Sequence, residues 1–175
     1  MHKTRLWVRL VAVCLLALAC AVPSVAKTPG EVGVGATLRE AKMHGLNGPD
    51  RLLSQYRGKP LLINVWASWC GPCRAEMGSL ERLAWQDQGK RFTMIGISTD
   101  DSEAAAKRYL QSANATLNHY MDRALELENM LGAERLPLTI LVDANGRVLG
   151  KYYGAREWDD AESAVWLNSR LRSAK

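Results

Sequence analysis

Two apolar runs stand out in the middle of the chain, Leu61 to Trp66 and Phe92 to Ser98. Each is nearly continuous rather than alternating, which suits a strand buried on both faces. Between them, Met77, Leu80, Leu83 and Ala84 recur at helical spacing, predicting a helix over 74–88 that Gly89-Lys90 ends. Further helices are predicted over 102–111, with Thr99-Asp100-Asp101 as the cap, and over 125–131, stopped by Gly132. Residues 117–121 form a short extended piece. Leu138 to Val142 is a third apolar run. Asp143-Ala144-Asn145-Gly146 then turns the chain into a returning strand, 147–153, since Asn-Gly between apolar runs is a strong hairpin signal. A last helix over 159–171 offers Ala164, Val165, Leu167 and Leu171 to the core. Upstream, 37–46 reads as an entry strand with a turn at Asn47-Gly48, and 50–56 as a short helix capped by Asp50. The order is β-α-β, a helical excursion, then β-β-α, which predicts a mixed α/β sheet covered by helices. There are no internal repeats or low-complexity tracts.

The first 26 residues have a different pattern. Lys3, Arg5 and Arg9 precede an apolar stretch from Leu10 to Val22, and Ser24-Val25-Ala26 supplies small residues. That is the layout of a secretory signal peptide, with cleavage before Lys27. An uncleaved anchor from Leu10 to Ala26 and lipidation at Cys20 are the alternatives. Residues 27–34, rich in Gly and Pro, read as a linker, and 35–175 as one domain. Removing the leader also changes the charge. The chain's formal +5 falls to 20 basic against 18 acidic residues, with no basic cluster to attract nucleic acid.

The leader removes two of the four cysteines as well, Cys14 and Cys20. The remaining pair, Cys70 and Cys73, sits in Trp69-Cys70-Gly71-Pro72-Cys73, between the Leu61–Trp66 run and the helix that follows. A lone Cys-x-x-Cys pair provides no disulfide framework, so its role is chemical. Cys70 falls at the helix N-terminus, where unpaired N–H groups and the helix dipole favour a thiolate. Cys73 is near enough to close a disulfide or to resolve a mixed one. Pro72 suits the first turn. A structural zinc site needs four ligands, and His44 and His119 do not complete one at knuckle spacing, so no metal and no cofactor is assigned.

The residues WCGPC are similar to the active site of thioredoxin. The longer stretch WASWCGPCRAEM resembles the extracytoplasmic branch of that superfamily, the TlpA/ResA-like thiol–disulfide reductases, and the likeness runs from about Gly35 to the C-terminus. It implies a thioredoxin-like fold with an N-terminal hairpin extension, and a central insertion in the ~40 residues between the second strand and Pro137. It implies that Cys70 is the more exposed, attacking thiol and Cys73 the deeper, resolving one. It implies a cis Leu136–Pro137 bond opposite the dithiol, with the Leu136 backbone available to an extended substrate and Trp69 on the docking surface. Glu76, one helical turn past Cys73, takes the place of a family glutamate that carries protons for the resolving thiol.

Two positions depart from the pattern. Asn64 stands where thioredoxin has a buried aspartate, and an amide cannot accept that proton. Gly78 stands where the branch usually has a helix-kinking proline. Trp66 follows the buried strand, and Trp158 is assigned to the core or to a lid over the C-terminal helix, with no function.

The function these residues point to is a monomeric, periplasmic thiol–disulfide oxidoreductase that reduces protein disulfides, with cytochrome c maturation among its settings. A dithiol in an oxidising compartment needs electrons, and the resemblance implies a membrane thiol transporter as donor. An oxidase or isomerase is the rival within the class. Gly-Pro between the cysteines disfavours it, because thioredoxin, with that dipeptide, lies near about −270 mV and the oxidant DsbA near about −120 mV. A copper-handling factor using His119 or Met121 as third ligand is the rival outside it.

Overall fold

The computed structural model describes residues 29–173. Seven strands and four α-helices follow in order: β1 (Lys42–Gly45), β2 (Arg51–Leu52), β3 (Leu61–Trp66), α1 (Gly71–Asp87), β4 (Thr93–Ser98), α2 (Glu103–Ser112), β5 (Asn118–Met121), α3 (Glu126–Leu131), β6 (Leu138–Val142), β7 (Val148–Tyr153) and α4 (Ala161–Ser173). They build one mixed sheet in the order β2-β1-β5-β4-β3-β6-β7. The apolar run of β3 lies at its centre, parallel to β4 and antiparallel to β6, and all six of its residues are buried. This is the thioredoxin-like α/β architecture, and the β1–β2 hairpin extends its edge through an antiparallel pairing with β5.

The period-two alternation of β3 divides the core. Ile63 and Val65 face a cluster with Val32, Leu38, Met43 and residues of α3. Leu62 and Trp66 face the other side, where α1, α2 and α4 pack. The helix expected after the motif begins earlier, at Gly71, with Cys70 itself as N-cap. It ends where Gln88 and Gly89 take left-handed backbone, φ 49° and 67°, which breaks the helical hydrogen-bond ladder.

Several expectations are corrected. The entry strand over 37–46 contracts to Lys42–Gly45, with Thr37 forming only an isolated bridge to Arg147. The helix over 50–56 is a two-residue strand followed by a 3-10 turn, Leu53–Tyr56. Asp50 does not cap it; its carboxylate turns back to accept from the Gly45 N–H and to meet His44. Ser102, not Thr99-Asp100-Asp101, caps α2, accepting from the Ala105 N–H. In α4 only Leu167 of the expected core residues is fully buried, and Val165 is 68% exposed. Residues 29–34, read as part of a linker, pack on the domain: Val32 is buried and hydrogen-bonds Met130, and Glu31 pairs with Lys151. A Cβ at Gly132 would lie 2.5 Å from the Glu31 side chain, so glycine is needed there for closeness as well as for its φ of 74°. The signal peptide, its cleavage site and Cys20 lie outside the described residues. Among those described, no helix is long and apolar enough to cross a membrane.

Candidate redox site

β3 delivers the chain to the surface at its C-terminal end, and the loop 67–70 turns it into α1. Asp100, from the loop after β4, holds that turn. It accepts from the Ser68 N–H at 2.9 Å and the Ser68 hydroxyl at 2.6 Å, and its Oδ2 also accepts from Ser98 Oγ at 2.8 Å. Cys70 and Cys73 are joined as a disulfide, S–S 2.05 Å. Cys70 Sγ accepts the Cys73 backbone N–H at 3.2 Å, one of the orphan donors of the helix start. Cys70 keeps 6% of its surface and Cys73 none, the exposed and deep order expected. The Leu136–Pro137 bond is cis. A groove of about 740 Å³ runs beside Cys70, lined by Trp69, Thr99, Asp101, Leu125 and Leu136. Trp69 in its wall is 70% exposed.

Glu76 lies under this surface, 1% exposed. Its Oε1 accepts from Asn64 Nδ2 at 2.8 Å. Its Oε2 accepts from the Trp158 indole N–H at 3.0 Å and from the Arg156 backbone N–H at 3.2 Å. Burial pushes the carboxyl up to about 7, against the pull of these donors. Asn64 is therefore not an isolated strand residue: the amide that replaces the thioredoxin aspartate is bonded to the carboxylate at Glu76. Trp158, assigned no function from the sequence, touches the same group. Ser79 ties the two together, donating to the Glu76 carbonyl and accepting the Trp158 backbone N–H. Gly78 is exposed. The sequence offered no signal for Asp100 as the holder of the Ser68 turn, or for Arg156 and Trp158 as partners of Glu76, because those contacts span 32 to 82 residues.

On the same face of the sheet, Trp66 donates its indole N–H to His119 Nδ1 at 3.1 Å. The pair crosses above Gly96, where a Cβ would come within 2.1 Å of His119 Nδ1. Burial drives the imidazole down to about 4. Met121 packs in the cluster that holds both cysteines. Among the described residues no three His, Cys, Asp or Glu side chains gather as a metal site.

A Cys70–Cys73 disulfide at a helix N-terminus, beside a groove that Leu136 lines next to the cis-proline, defines a thiol–disulfide oxidoreductase of thioredoxin type. Comparison with known proteins agrees. Residues 33–165 match the Redoxin family. The chain is 33% identical over 182 aligned residues to thiol:disulfide interchange protein DsbE of Vibrio cholerae, covering 95% of each. It is 30% identical to thiol-disulfide oxidoreductase ResA of Geobacillus thermodenitrificans, covering 67% of each. A crystal structure described as a DsbE thiol:disulfide interchange protein from Chlorobium tepidum superposes with TM-score 0.73 at 23% identity, covering 81% of this chain and 99% of that one. The chain belongs to the redoxin family, and the fold expected from its sequence is the fold it has.

Proposed function

We propose that this oxidoreductase works as a reductase of protein disulfides outside the cytoplasm, with apocytochrome c among its clients. The observation that carries the reading is the pairing of an N-capping Cys70 beside an open groove with a fully buried Cys73 one turn from Glu76. Cys70 thiolate attacks a client disulfide, forming a mixed disulfide and releasing one client sulfur as thiolate. Cys73 loses its proton to Glu76 and attacks Cys70 Sγ. The second client sulfur leaves, and the enzyme is left as the Cys70–Cys73 disulfide seen here. Two electrons have passed from the dithiol to the client. Trp69 and the backbone at Leu136, beside Pro137, hold the extended client segment in the groove.

The leader over residues 1–26 supports export to the periplasm, and the likeness to DsbE and ResA supports thiol–disulfide exchange with other proteins. Re-reduction then needs a membrane protein that passes electrons from the cytoplasm. The protein acts as a monomer in this scheme.

The reduction potential of the Cys70–Cys73 couple tests the direction. A value at or below roughly −250 mV supports the reductase; one near about −120 mV makes the protein an oxidant and reverses the electron flow. A Cys73→Ala variant traps the client as a stable mixed disulfide on Cys70, whereas Cys70→Ala traps nothing.

A further inference from the structure

The Glu76 carboxyl meets hydrogen-bonding groups of two different kinds. Among the described residues Oε2 faces only fixed donors, the Trp158 indole N–H and the Arg156 backbone N–H, and neither can accept a hydrogen bond. Oε1 faces Asn64, whose Nδ2 also donates to Thr139 Oγ1 at 3.0 Å. Asn64 Oδ1 is buried and has no partner. A primary amide keeps nearly the same shape when turned by half a revolution. Turned, Oδ1 would sit between Glu76 and Thr139. There it accepts from a protonated Oε1 and from the Thr139 hydroxyl, which can donate as readily as accept. One amide end is left unpaired in each orientation, so neither state is favoured by that count.

Trp158 is built to stay where it is. It is fully buried, and its backbone N–H is bonded to Ser79 Oγ at 3.0 Å. Its ring meets Tyr152 and Trp166 edge-on, centroids 5.7 and 5.8 Å apart. The Arg156 guanidinium lies 5.4 Å from its ring and 4.4 Å from that of Tyr152. We infer that Trp158 is a positioning residue for the Glu76 proton: with the Arg156 amide it occupies Oε2, so the proton of the neutral acid sits on Oε1, and Asn64 turns its amide to receive it. This rests on the reading of Glu76 as proton carrier for Cys73.

The charged and titratable groups around the carboxyl are few. Glu157, on the loop that carries Trp158, repels the carboxylate, and Tyr109 of α2 senses its charge. Arg156 sends its guanidinium to Glu162. α1 itself brings Cys73. β3 and β6 bring only the uncharged Asn64 and Thr139.

The test is a pH titration followed by NMR on the Glu76 side-chain carbon, the Trp158 indole N–H and the Asn64 side-chain N–H pair. The indole resonance should move with the Glu76 midpoint and stop moving in Glu76→Gln. The Asn64 protons should lose their hydrogen-bonded shift below the same midpoint. Trp158→Phe should raise that midpoint by about one pH unit or more, the worth of a hydrogen bond to a charged group. The pH at which Cys73 resolves a mixed disulfide at half its maximal rate should rise with it. An indole or an Asn64 amide that ignores Glu76 overturns the inference, and those wild-type readings decide even if Trp158→Phe does not fold. So does a Trp158→Phe protein that is merely less stable with an unmoved midpoint. Failure of the underlying reading looks different: Glu76→Gln would then leave the Cys73 rate profile unchanged, whatever the resonances do.

Discussion

Glu76 and His119 are buried titratable groups on one face of one sheet, both within the layer that carries the dithiol, and they are furnished in opposite ways. Glu76 receives three donors from two separate parts of the chain, β3 and the loop before α4, and its partner Asn64 can answer either protonation state. His119 receives a single indole N–H on Nδ1, and its buried Nε2 has no partner. Burial moves both toward neutrality, the carboxyl up to about 7 and the imidazole down to about 4. Only the first arrives near the working pH of a thiol enzyme. Desolvation alone makes a group neutral and inert; desolvation balanced by hydrogen bonds to the charged form makes it exchangeable. That difference separates the proposed proton carrier, Glu76, from a packing histidine.

The contrast breaks most directly at the resolving step. Glu76→Gln should slow the Cys73 attack by roughly 10²-fold near neutral pH, the usual scale of positioned acid–base help. His119→Phe should leave that rate within about twofold. Stopped-flow tryptophan fluorescence of mixed-disulfide decay reads both. Equal losses would erase the distinction.

The pH dependence of stability sharpens it, because the signs are opposite. Glu76 binds its proton more tightly when folded than the usual 4.5. Its contribution is therefore full below about pH 4.5 and is lost as pH rises through about 7, on the order of 2–3 kcal/mol. His119 holds its proton less tightly when folded than the usual 6.5. Its contribution is full above about pH 6.5 and is lost as pH falls toward 4, by a similar order. Over about pH 4.5–6.5 the two contributions offset each other in the wild type, so urea unfolding from pH 4 to 8 should show Glu76→Gln making stability rise more steeply with pH and His119→Phe making it fall.

Gly96→Ala should cost about 1–3 kcal/mol, since the new methyl must displace the His119 ring or its Trp66 partner. Its reduction potential should stay at the wild-type value. A shifted potential would mean that the Trp66–His119 pair does reach the dithiol. The smallest effect is expected at the surface. Trp69→Ala should raise KM for a peptide disulfide by about three- to tenfold, a loss of ~1 kcal/mol of docking, with kcat for resolution unchanged.

Much of this arrangement was legible in the chain. Leu138–Val142 is the strand that its apolar run predicts, residue for residue. The Cys70–Cys73 pair lies at the helix start as the motif requires. Glu76 follows by helical spacing alone, since three residues past Cys73 is one turn of α1. Local signals failed where a polar residue had two ways to be satisfied. Asp50 could cap a following helix or turn back to Gly45, and nothing nearby in sequence chooses. Residues 29–34 look like a linker by composition, yet Val32 and Glu31 find partners in α3 and β7.

The sequence by itself determined the chemistry on offer: a dithiol at a helix N-terminus, a carboxyl one turn beyond it and an amide on the central strand; the proline opposite was implied by the family resemblance. Those assignments depend on periodicity and on backbone groups a few residues away. Only the tertiary structure decided what the carboxyl and the amide do. Trp158 and Arg156 reach Glu76 across about 80 residues of chain, and the exclusion of water that raises its affinity for a proton exists only when α1, β3 and the loop before α4 close on one another.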